Sequence, residues 1–83
     1  MPRYFFNVHD GKEISDDEGL ELPDLKAARI EAIGLAGRIL ADDAHRIGLG
    51  EDWSMDVEDE RGVIVFQLAL LAVEAPPSGD GSA

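Results

Sequence analysis

Covalent catalysis needs a Ser, Thr, Cys or Lys side chain beside a base that takes its proton. This chain has no Cys and no Thr, and its serines, at positions 15, 54, 78 and 82, have no credible base beside them in sequence. His9 and Asp10 form a dyad on paper. Neighbours on a regular strand point to opposite faces, however, so the two side chains cannot share a proton. The expected role of His9 is that of a surface histidine at a strand end.

Asp42 and His45 lie three apart in a helical segment, a spacing at which two ligands can reach one metal ion. A protein metal site needs three or four donors, and Arg38 and Arg46 are near enough in sequence to neutralise Asp42 instead. Asp16-Asp17-Glu18 and Glu58-Asp59-Glu60 offer hard oxygen ligands of the kind calcium takes, but neither has the spacing of a calcium loop. Both triplets read as solvated turns. Tyr4, Phe5, Phe6, Trp53 and Phe66 could stack on bases only inside a basic groove, and the charge here has the opposite sign. The sequence therefore predicts no catalytic residue, no metal ligand set and no cofactor.

Eighteen acidic residues against seven basic ones give a formal charge of −11, which repels phosphate backbones and anionic membrane surfaces. Direct nucleic-acid binding is not expected. There is no run of 18 or more apolar residues and no charged, apolar leader, so the chain reads as a soluble cytoplasmic protein. Its 83 residues are enough for one core. Without disulfides, stability must come from apolar burial or from a shared surface with another subunit.

The elements that would position any site follow from periodicity. From Arg3 to His9 the side chains alternate, with Tyr4, Phe6 and Val8 turned to the core and Arg3, Phe5, Asn7 and His9 to the other face. Asp10-Gly11 predicts a tight turn. The return strand, Lys12 to Leu22, is broken by Asp16 to Gly19 and fits an edge with a bulge or kink. Asp24 is placed to cap a helix running from Leu25 to about Ile47, with Ala28, Ala32 and Ala36 at the middle of its apolar stripe and Glu31, Arg38, Asp42 and His45 opposite. Gly48 and Gly50 then supply a helix stop.

Trp53, Met55 and Val57 alternate with polar residues, and Glu58 to Gly62 closes a hairpin into an apolar strand from Val63 to about Val73. Both parities of that strand are apolar, so it is expected to be central or to have its second face covered by another chain. The predicted fold is α+β, a two-layer ββαββ sandwich with a mostly antiparallel sheet and one long helix on one face. It spans residues 1–74 as a single domain, and 75–83 are expected to form a disordered tail. Phe5, Val63, Val65, Leu70 and Leu71 are the candidate interface, with Phe5, Val63 and Val65 expected on the sheet face away from the helix.

The passages PRYFFNVHDG, DDEGLELPDL followed by AAR, and a Trp-led strand with DERG leading into VIVFQL resemble a family of short uncharacterised bacterial proteins known as a domain of unknown function. The likeness covers roughly Pro2 to Leu68. It implies a shared fold and carries no activity, so no functional residue is transferred. The residues and the resemblance together lead to a small acidic, non-enzymatic module that acts by protein contact and forms a homodimer. The alternative is an acidic regulator, in the manner of an antitoxin, that masks the nucleic-acid-binding surface of a basic protein.

Overall fold

Strand β1 (Arg3–His9) is the spine of the N-terminal half, and the computed structural model describes it within residues 1–45 and 52–73. Its burial alternates as the sequence predicts, with Tyr4, Phe6 and Val8 in the core. The return strand is split in two: β2 (Glu13–Ile14) pairs with the C-terminal end of β1, and β3 (Leu20–Glu21) with its N-terminal end. The broken edge foreseen from the acidic turn is therefore present.

After Pro23 the Asp24 carboxylate accepts the backbone N–H of Ala27 at 2.9 Å and starts helix α1 (Leu25–Asp42). This satisfies one of the donors that a helix start leaves free. At the other end the N–H of Asp43 donates to Ile39 O at 2.9 Å. Helix α1 thus stops at Asp42, with 43–45 in turns, short of the expected Ile47; residues 46 and 47, the Gly48 and Gly50 stop and the 75–83 tail lie outside the described residues.

Strand β4 (Trp53–Glu58) runs antiparallel to β1, and β5 (Ile64–Leu70) antiparallel to β4. The sheet order is β2-β1-β4-β5, with β3 beside β1, and α1 lies against β4 and β5. This is the α+β sandwich read from the sequence. Phe6, Val57 and Phe66 form one cross-strand row beneath the helix, and Val8, Met55 and Leu68 form the next. Ala28, Ala32 and Ala36 are 0%, 0% and 2% exposed, and Trp53, Met55 and Val57 are equally inaccessible beneath the same helix. Small side chains at this contact let the helix axis approach the sheet closely, while Leu35, Ile39 and Leu40 pack beside it.

Three further expectations are corrected. Strand β5 is not central: among the described residues β4 is its only neighbour in the sheet and its other side is an edge. It ends at Leu70, before Leu71. A bulge also resets its parity, because Val57 pairs with Phe66 and Glu58 with Ile64, which leaves Val65 as the extra residue. Val65 consequently packs against the core, and Ile64 takes its place in the outward row with Glu58 and Phe5. Third, the helix side opposite the alanines is not polar. Turning 100° per residue, it carries Ile30, Gly34, Gly37 and Ala41, all exposed, with Ile30 60% and Ile33 53% accessible. Glu31, Arg38 and Asp42 occupy a flank.

Enlarging a residue at the closest helix–sheet contact has nowhere to go. Ala32→Leu is expected to cost about 1–3 kcal/mol through overpacking. In a domain of this size that lowers the melting temperature by roughly 5 °C or more, read by circular dichroism.

Candidate interaction surface

Two features of the sheet qualify as places where chemistry or contact could occur: a polar row on the face away from the helix, and the uncovered edge at β5. The polar row begins with Asp56, which is only 8% exposed although the helix does not cover its face. One carboxylate oxygen lies 2.8 Å from His9 Nε2, and the other accepts a hydrogen bond from Gln67 Nε2 at 2.6 Å. The contact joins β1, β4 and β5 side by side. On the far side of the ring, His9 Nδ1 faces Glu13 Oε1 at 3.7 Å.

Ser54 stands directly opposite His9 on β4, so Ser54, His9 and Asp56 share one region of the sheet. A Ser–His–Asp relay needs the ring to bond the hydroxyl through one nitrogen and the carboxylate through the other. Here Nε2 is held by Asp56 at 2.8 Å, while Nδ1 faces the exposed Glu13 carboxylate at 3.7 Å rather than the Ser54 hydroxyl, so no such relay is assembled. The row ties strands together by hydrogen bonding. The sequence reading missed it because it depends on β1 lying beside β4. The outward parities of His9 and Asp56 were legible, but their adjacency was not.

The first acidic triplet also does more than form a solvated turn. Where the return strand is interrupted, the Phe6 N–H on the open edge of β1 donates to Asp16 Oδ2 at 3.1 Å, and the Asp16 N–H donates to Asn7 Oδ1 at 2.9 Å. Asp16 Oδ1 accepts from the N–H groups of Glu18 and Gly19. One side chain thus stands in for the missing strand. Gly19 completes the turn at φ +72°, where a Cβ would come within 2.8 Å of both Arg3 Cγ and Phe5 Cε1. Arg3 reaches over this loop to Glu18 O and Glu21 Oε1 at 2.8 and 3.0 Å. In the second triplet Asp59 closes the β4–β5 hairpin, accepting from the N–H groups of Arg61 and Val63 and from the Arg61 guanidinium.

These bonds decide the electrostatics of both aspartates. Burial pushes the Asp16 carboxyl up, but the N–H donors of Gly19, Phe6 and Glu18 outweigh it and hold the group below the usual value of 3.8. Asp59 is likewise lowered, first by the Arg61 guanidinium and then by the Val63 N–H. Asp42 and His45 are both exposed, and Arg38 pairs with Glu31 at 3.7 Å; Arg46 lies outside the described residues. Among the described residues no three His, Cys, Asp or Glu side chains converge as metal ligands, and no helix is long and apolar enough to cross a membrane.

The uncovered edge is the second feature. Ile64 is 52% exposed, Leu71 is 86% exposed, and Val63, Leu70 and Val73 are also accessible. No charged residue occurs between Ile64 and Val73. Of the candidate interface residues, Val63, Leu70 and Leu71 belong to this edge and its ends. Phe5 lies half-buried on the outward face, and Val65 lines an open groove of about 300 Å³ beside Tyr4 and Leu25, on the helix side.

Residues 3–72 match the family model of a domain of unknown function (DUF6894). The chain belongs to this family. The match extends through β5 to Ala72 and so covers every described strand, the helix and the bulge. No curated protein and no solved structure matches.

The Asp16 assignment has a definite pH signature. Its folded value lies below the ordinary one, so its stabilising contribution is present above pH 3.8 and is lost as pH falls through the folded value. Asp16→Asn, which cannot accept on both side-chain ends, is expected to lower the melting temperature at pH 7. The gap between variant and parent should narrow as pH drops below 3.8; a constant gap would contradict the assignment.

Proposed function

We propose that this member of the DUF6894 family is a small non-enzymatic module that acts by protein contact, and that it forms a homodimer by pairing β5 with β5 of a second copy. The observation that carries the reading is the edge itself. A strand at the end of a sheet presents unpaired N–H and C=O groups to any other strand, and proteins that avoid such pairing blunt their edges with Lys, Pro or charge. Strand β5 has none of these over Ile64–Leu70.

Charge supports a second copy as the partner. Two chains of −11 repel wherever carboxylates meet, and the Ile64 to Val73 segment lets them approach without that penalty. Antiparallel self-pairing also gives a closed two-fold contact, the commonest form of self-assembly. Ile64, Leu70 and Leu71 flank the pairing strands and Val63 extends it, whereas Val65 faces the core and contributes little. The polar row on the outward face supports the non-enzymatic part of the reading, since Asp56 bonds His9 Nε2 and Gln67 Nε2 as a cross-strand tie and Ser54 is not joined to the ring. A masking role against a basic protein is less well supported, because Asp16, Asp56 and Asp59 already bond within the chain.

The test is solution mass by light scattering over a concentration series. Lysine at an edge opposes strand pairing. Ile64→Lys with Leu71→Lys is expected to halve the mass of the parent assembly while helix content by circular dichroism is unchanged. An unaltered mass in that variant would overturn the edge reading.

A further inference from the structure

Among the described residues nothing packs on the outward face of α1. Ile30 is 60% exposed and Ile33 53% exposed, although isoleucine is among the residues most often buried. Between and beyond them lie Gly34, Gly37 and Ala41, all exposed. A Cβ at Gly37 would meet nothing within 4 Å, and one at Gly34 would meet only the Arg38 side chain at 3.7 Å. Glycine is among the poorest helix formers, and here neither turn geometry nor intrachain packing calls for it.

We propose that this face is a second self-interface, at which α1 packs antiparallel against α1 of another copy with Gly34 and Gly37 at the point of closest approach. The pattern is its own complement. Ile30, Gly34, Gly37 and Ala41 are spaced four, three and four apart. A two-fold axis midway between the glycines therefore sets Ile30 over the second copy's Ala41 and Gly34 over the second copy's Gly37. Large meets small at both ends of the contact, and backbone meets backbone at its centre. An unrelated partner would have no reason to require this symmetry.

Charge points the same way. Glu31 and Arg38 lie on one flank of the face, paired within the helix at 3.7 Å. A two-fold of this kind keeps that flank on the same side in both copies. Glu31 then comes to within two residues of register with the second copy's Arg38, about 3 Å along the axis, and the reciprocal pair forms as well. The contact is independent of the β5 edge, because the helix face points away from the sheet and the edge points sideways. Together they pair two of the β5-linked dimers into an assembly of four copies, with sheets outside a double layer of helices, so blocking the edge halves the mass and leaves the α1-linked dimer.

The experiment is run in the Ile64→Lys/Leu71→Lys chain, where strand pairing is blocked, so failure of the edge reading does not affect it. Adding Gly37→Leu to that chain should reduce a dimer to a monomer in light scattering. It should also raise the melting temperature at low protein concentration by about 4 °C, since leucine favours helix and has open space there. Glu31→Arg and Arg38→Glu chains should each self-associate about tenfold or more weakly than their parent, while an equimolar mixture recovers parental affinity through two attractive pairs. A dimer that survives Gly37→Leu, or single swaps that the mixture does not rescue, would overturn the proposal. A monomer at all concentrations before Gly37→Leu is added would do the same and leave the face to a different protein.

Discussion

Helix α1 covers the sheet, and it does so through three alanines. Ala28, Ala32 and Ala36 bring α1 down onto Trp53, Met55 and Val57, and the other buried apolar side chains, Tyr4, Phe6 and Val8, belong to the same core. Close approach concentrates burial in the middle of the sheet. The consequence is an uneven molecule: β4 is sealed on its helix side, while β5 is left as an edge and the opposite side of the helix is left bare.

The acidity that dominates the composition has structural uses as well as a solvating one. Asp24 starts the helix, Asp16 replaces the strand missing beside Phe6, Asp56 links three strands through His9 and Gln67, and Asp59 shapes the last hairpin. Each carboxylate meets N–H donors where regular backbone pairing stops or where a sheet face is uncovered. Hydrogen bonds to an ionised carboxylate are stronger than neutral ones, which suits a small domain with few bonds to lose.

Much of this was legible in the residues. The alternation of Tyr4, Phe6 and Val8, the Asp24 cap, the alanine stripe and the Trp53, Met55 and Val57 row depend on local spacing, and each has its expected place. What was not legible depends on pairing between distant segments. The contact between His9 and Asp56 requires β1 beside β4, and no feature of either strand announces its neighbour. The bulge opposite Val57 and Glu58 shifts Val65 inward and Ile64 outward, so parity counting alone misassigned both. The two-sided apolar pattern of the last strand was visible. It was compatible with a central position until the sheet order made it an edge. On the helix, the charged flank was taken for the side opposite the core, and the Ile30, Gly34, Gly37 and Ala41 face between the flanks went unread.

The central claim is that the β5 edge is closed in solution by another strand. Amide hydrogen exchange along Ile64–Leu70 tests it most directly, since N–H groups on an uncovered edge point into water and those of a paired strand do not. Protection of the outward-pointing amides should increase with protein concentration, in step with the assembled fraction. If those amides exchange at unprotected rates at every concentration while the ones bonded to β4 stay protected, the edge remains open and the account is wrong.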